Sequence, residues 1–169
     1  FCEFRGFSGK EMIISHRIHT RKKPAEGSVN SVGSVGKKYT KKNTIMTEND
    51  LTYRIRGSIF KVYKQLGPGL LESVYEEALV YQLSKDGMKV ARQTSIPIYY
   101  DEIKLSTNLR LDIIVEDSVI IEIKSVKEIE PVHHKQLLTY MKLAKKHLGF
   151  LVNFNSDDIN RSTYRKILG

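Results

Sequence analysis

Leu111-Asp112-Ile113-Ile114-Val115, then Glu116-Asp117-Ser118, then Val119-Ile120-Ile121-Glu122-Ile123-Lys124 is the stretch whose reading decides the fold. Two runs rich in β-branched residues flank a polar trio short enough to close a hairpin. Paired positions of an antiparallel ladder keep a constant sum. If Val115 lies opposite Val119, then Asp112 lies opposite Glu122 and Arg110 opposite Lys124. A slip of one residue would set apolar side chains against polar ones. In the favoured register Leu111, Ile113 and Val115 share one face with Val119, Ile121 and Ile123, and the two acids share the other. Like charges opposed across a sheet destabilise it, so this pair is held at a cost, and a divalent cation would account for it.

Upstream, Thr47 followed three residues later by Asp50 is close to a capping box, and Leu51, Ile55, Ile59, Val62 and Leu66 recur at helical spacing. That helix stops at Gly67-Pro68-Gly69, and a second runs from about Leu70 to Lys85, ending at Asp86-Gly87. A strand near Gln93–Tyr100 and a turn at Asp101-Glu102 lead into the hairpin. Beyond it the pattern predicts a helix from Pro131 to Lys146, a strand over Leu148–Phe154 and a last helix from Asp158. The expected class is α/β, a mixed sheet flanked by helices.

Within the second helix Glu72 and Glu76 are four apart and share a face with Tyr75, Leu79 and Leu83, the stripe that must pack on the sheet. Charged residues normally take the solvent side. Negative charge at the positive end of the helix dipole accounts for Glu76 as well as function does. Glu72 is assigned to function. His133 and His134 read as solvated residues at a helix start, and Lys142, Lys145, Lys146 and His147 as a basic helix end.

The chain has 169 residues, 40% of them apolar, and a net charge of +9. It can bury one core, has no run of membrane-spanning length, and its single Cys2 excludes an internal disulfide framework. Residues 1–45 carry 10 Lys+Arg against 3 Asp+Glu, whereas residues 46–169 carry 18 against 16. The basicity belongs to an amino-terminal arm. Its Gly27–Gly36 tract of Gly, Ser and Val is a linker composition that buries too little apolar surface to fold, so residues 1–45 are expected to be a disordered basic arm. No signal-peptide pattern stands at the amino end, which predicts an intracellular, cytoplasmic protein.

Phe7-Ser8-Gly9-Lys10, then Ile14-Ser15-His16-Arg17-Ile18-His19-Thr20 and Lys23-Pro24, resemble a two-cysteine, two-histidine zinc finger and its linker. The second cysteine position is Glu3, and only two residues separate His16 from His19, so at most three ligands remain. Residues 1–24 therefore read as a degenerate remnant, and zinc is not expected there. A genuine eukaryotic fusion of this kind would place the protein in the nucleus.

Over residues 46–169 the resemblance is firmer. Gly69-Leu70-Leu71-Glu72-Ser73-Val74-Tyr75 resembles the signature of the GxxExxY protein family. Asp112 with Glu122-Ile123-Lys124 resembles the acid and E-x-K of the PD-(D/E)XK nuclease superfamily, and Gln136-Leu137-Leu138-Thr139-Tyr140 the Q-x-x-x-Y motif of its RecB-like branch. This implies a restriction-endonuclease-like fold with an αβββαβ core. It implies that Asp112 and Glu122 bind magnesium, for which manganese can substitute, with Glu72 or Glu76 completing the acidic cluster. Lys124 would orient or deprotonate the attacking water, and Gln136 and Tyr140 would position substrate or the active-site strand. The implied function is metal-dependent phosphodiester hydrolysis of nucleic acid, DNA in preference to RNA, with no membrane partner. The alternatives are a catalytically silent nucleic-acid- or protein-binding module on the same fold and, behind it, a zinc-finger DNA-binding protein.

Overall fold

Residues 47–169 are described by the computed structural model; the expected arm over 1–45, its zinc-finger-like segment and its linker lie outside the described residues. The first helix, α1 (Glu48–Leu66), opens on the capping box read from the sequence. The Asp50 amide donates to the Thr47 hydroxyl oxygen, and the Thr47 amide donates to the Asp50 carboxylate. Leu51, Ile55, Ile59 and Val62 form its buried stripe, and it ends at Gly67, whose φ of 67° suits a residue without Cβ. The second helix, α2 (Glu72–Lys85), follows the short Gly67–Leu71 connection. Then come β1 (Val90–Tyr100), β2 (Ile103–Val115), β3 (Val119–Lys124), α3 (Pro131–Leu143), β4 (Leu148–Asn153) and β5 (Thr163–Ile167).

The five strands form one sheet in sequence order. β3 and β4 run parallel, joined by α3, and every other neighbouring pair is antiparallel. One face carries Ile113, Val115, Val119, Ile121 and Ile123 against α1 and α2, with Ile55, Tyr75 and Leu79 among the residues that meet them. The other face packs Ile114, Ile120 and Leu151 against Leu137 and Met141 of α3. Contact there is close at Gly149, where a Cβ would lie 2.7 Å from Met141 Sδ and 3.0 Å from Leu137 Cδ1. This mixed sheet between helical layers is consistent with the restriction-endonuclease-like architecture. No helix among the described residues is long and apolar enough to cross a membrane.

Three expectations about element type, length and sheet face need correction. The segment after Asp158 is a turn and a strand rather than a helix: the Asn160 amide donates to Asp158 Oδ1 and the Ser162 amide to the Asp158 carbonyl. The alternating Thr163-Tyr164-Arg165-Lys166-Ile167 then extends along the free edge of β4. α3 ends three residues early, because Lys145 adopts a φ of 54° and breaks the helical path. Leu111 also changes face, joining Ile114 and Ile120 on the α3 side. The cause lies in the interrupted ladder around Asp112.

Candidate active site

The hairpin turn is built as expected, with Val115 opposite Val119 and Ile113 opposite Ile121. Glu116 and Asp117 both take a φ of 50°, the twist that two-residue hairpin turns require, and Lys146 donates to the Asp117 carbonyl and carboxylate. The antiparallel pairing then stops, whereas β3 continues along β4 as far as Lys124 opposite Asn153. In place of a direct Asp112/Glu122 pair, Asp112 Oδ2 accepts the Ile123 amide at 2.8 Å. On the other side of β2, the pairing with β1 skips Gln93 and Asp112, and Gln93 adopts a φ of 52°. Two opposed carboxylates would repel. The fork separates their backbones while giving the Ile123 amide an acceptor, so that buried amide is paired.

Within the fork Glu122 is almost wholly buried, and its Oε1 accepts from Lys124 Nζ at 2.8 Å. Its Oε2 is buried with no hydrogen-bond partner among the described residues. Burial, reinforced by the Asp112 charge, pushes the Glu122 carboxyl up to about 7 despite the lysine. Asp112 is also raised, by burial first and then by Glu76 and Glu72, with the Ile123 hydrogen bond opposing. Burial alone would lower Lys124, but the hydrogen bond and charge of Glu122, with Glu72 and Asp112 behind them, hold its ammonium above the ordinary lysine value. The three groups, brought from two strands, form one electrostatic unit.

Each α2 acid has a distinct setting. Glu72, exposed at the first residue of the helix, accepts the Ser125 amide at 2.9 Å, just past the end of β3. Glu76 is buried and fully engaged, accepting from Arg92 Nε at 2.7 Å and from Gln93 Nε2 on both oxygens at 2.6 Å. The Gln93 that interrupts the β1–β2 ladder is therefore the residue that holds Glu76. Tyr75 stacks on Phe154 with ring centroids 4.4 Å apart. Its hydroxyl donates to the Gly67 carbonyl at 2.6 Å and accepts the Leu70 amide at 3.1 Å, pinning the loop that precedes Glu72. Gly69 in that loop has a φ of 98°, which explains a glycine three residues before the acid.

Gln136 and Tyr140 meet one turn apart on α3, the amide donating to the hydroxyl at 2.7 Å. Their hydrogen bond joins them to each other and not to the carboxylates. His133 Nδ1 accepts the Glu130 amide and acts as a helix cap. His134 is half-buried, edge-on to Tyr164 at 4.9 Å, and burial lowers its pKa. Asn153, to which the sequence assigned no role, is buried; its Oδ1 accepts the Val126 and Asn155 amides, and its Nδ2 donates to the Val126 carbonyl. It thereby fixes the segment that follows Lys124. The available signal was an asparagine closing an otherwise apolar strand.

Residues 49–166, nearly all of the described domain, match the family model for the PD-(D/E)XK nuclease superfamily. The chain belongs to that superfamily. No curated protein and no solved structure matches it. Membership in the PD-(D/E)XK superfamily implies nuclease chemistry on nucleic acid, generally with divalent metals such as magnesium. The carboxylates of this PD-(D/E)XK domain suit such an ion in kind: they are hard oxygen donors, and one buried acceptor, Glu122 Oε2, lacks a partner among the described residues. Among the described residues no three acidic, histidine or cysteine groups converge to enclose an ion. Magnesium keeps several waters and needs only one or two carboxylates, so the fork remains compatible with it.

Proposed function

We propose that residues 46–169 form a magnesium-dependent nuclease domain that hydrolyses phosphodiester bonds in DNA, with Asp112, Glu122 and Lys124 as its catalytic residues. The observation that carries this reading is the buried Glu122, raised to about 7 beside a second raised acid and a lysine, with one oxygen free. Such a cluster costs stability and is characteristic of a functional site. A silent binding module would gain nothing from it.

Asp112 Oδ1 and Glu122 Oε2 are the two oxygens that would hold the ion, and Glu72, whose Oε1 accepts the Ser125 amide, adds its charge from the start of α2. Between the two α2 acids, Glu72 is the one able to meet the ion through a bound water, because both oxygens of Glu76 are taken by Arg92 and Gln93. Glu76 instead raises Asp112 through its charge. When bound, a divalent cation neutralises charge on the scissile phosphate and lowers the pKa of water. With its proton held firmly by Glu122, Lys124 orients the attacking water and stabilises developing negative charge rather than acting as a base. Gln136 and Tyr140 position substrate from α3.

The test is cleavage of plasmid and single-stranded DNA by residues 46–169, with magnesium, with manganese and with EDTA. Cleavage should require the metal, and Lys124→Ala should lower it by about 10²–10³-fold while the circular-dichroism spectrum and melting behaviour stay folded. Undiminished cleavage by that variant removes Lys124 from the mechanism.

A further inference from the structure

A second feature lies beside the fork. At the carboxyl ends of the parallel pair β3 and β4, a cavity of about 260 Å³ is lined by Lys127, Glu128, Asn153, Asn155, Asp157 and Tyr164, among others. One wall is the segment that directly continues β3 beyond Lys124, held by Asn153. Asn153 is the ladder partner of Lys124, and neighbouring strands lie ~4.8 Å apart, so the cavity wall at Asn153 stands one strand away from Lys124. The cavity is below the ~300–1,000 Å³ of drug-sized pockets, which suits one heterocycle and excludes a base pair.

Its chemistry is that of a reader. The Asn155 side chain and the Tyr164 hydroxyl are half-buried and make no hydrogen bond among the described residues. An amide offers both donors and an acceptor, the set that reads a base edge. Glu128 and Asp157 outnumber Lys127 on the rim, which disfavours a phosphate inside and favours an uncharged ring.

We propose that this cavity receives one unpaired nucleobase of the substrate strand next to the scissile phosphate, read by Asn155 and Tyr164, so that single-stranded or frayed DNA is the preferred substrate. A base in a duplex presents its pairing edge to its partner and cannot enter; unstacked bases can. The proposal rests on the nuclease reading and deepens it.

The experiment measures binding of fluorescein-labelled single-stranded and fully paired oligonucleotides to the full chain by anisotropy in calcium, and cleavage of both in magnesium. The variants are Asn155→Ala and Tyr164→Phe, which leave the backbone contacts and the His134–Tyr164 packing in place. The parent should bind and cut the single strand better. Each variant should weaken single-strand binding by ~3–10-fold, the worth of one hydrogen bond, and leave duplex binding unchanged. Equal losses on both forms, no loss on either, or a parent that favours duplex would overturn the cavity assignment while leaving a cleaving parent as a nuclease. A parent that neither binds nor cuts either form would remove both readings.

Discussion

Replacing Glu122 by glutamine should stabilise the metal-free domain. The Glu122 carboxyl titrates near 7 in the folded protein against the usual 4.5, so the folded state binds more protons than the unfolded state across that window. Stability therefore falls as pH rises through it, and the full penalty is present above about 7. At pH 8 the difference corresponds to ~3 kcal/mol. Glutamine keeps an acceptor for Lys124, but its amide nitrogen must enter the buried position where Oε2 has no partner, at a cost of ~1–2 kcal/mol. The net gain for Glu122→Gln is then ~1–2 kcal/mol at pH 8, seen as a rise of several degrees in Tm. Near pH 5 the gain should vanish or reverse, because the folded parent carboxyl is already protonated while the cost of the amide remains. The assay is thermal unfolding of parent and variant with EDTA at pH 5 and pH 8. A variant that melts lower than the parent at pH 8, or a difference that is the same at both pH values, would refute the account of a strained acid.

Other consequences follow from the same structure. Asp86 is held down to about 2: burial opposes the shift, but hydrogen bonds from Lys61, Ser58 and Gln82 prevail. Its stabilisation, ~1 kcal/mol once screening at the exposed Lys61 is allowed for, is present above pH ~4 and fades as pH falls towards 2. An Asp86→Asn variant should accordingly lose its stability difference from the parent in acid urea titrations. Tyr75→Phe keeps the Phe154 stack but frees Gly67 and Leu70, so it should cost ~1 kcal/mol in urea unfolding and lower cleavage more than stability alone explains, through Glu72. Deleting residues 1–45 should leave cleavage intact and remove only a salt-sensitive share of DNA affinity, with no zinc found in the full-length protein by metal analysis.

Local signals were readable and long-range ones were not. Thr47 and Asp50 disclosed the start of α1, and the alternation from Leu111 to Lys124 disclosed the hairpin and its register up to Ile113 and Ile121, because each rests on residues close in sequence. The fork beyond them was not legible, since it depends on Gln93 bending β1 to hold Glu76, three elements meeting through side chains far apart in the chain. Asp158 was the expected start of a helix. Here it closes a tight turn instead, and the edge of β4 captures the following strand. The charges of Glu72 and Glu76 act on Asp112, and those of Asp112, Lys124 and Glu72 on Glu122. Gln136 and Tyr140 find each other.

The fork leaves the end of β3 attached in an asymmetric way. On one flank it follows β4 in unbroken parallel register; on the other, the last link is a side-chain carboxylate in place of a backbone carbonyl. A backbone acceptor is indifferent to what occupies the site, whereas the Asp112 carboxylate changes charge distribution when it is protonated or when its free oxygen is engaged. The Ile123 amide proton is thus a built-in spectroscopic reporter: its chemical shift and solvent-exchange rate should register the state of the acidic cluster from within the sheet, without any label attached to the protein.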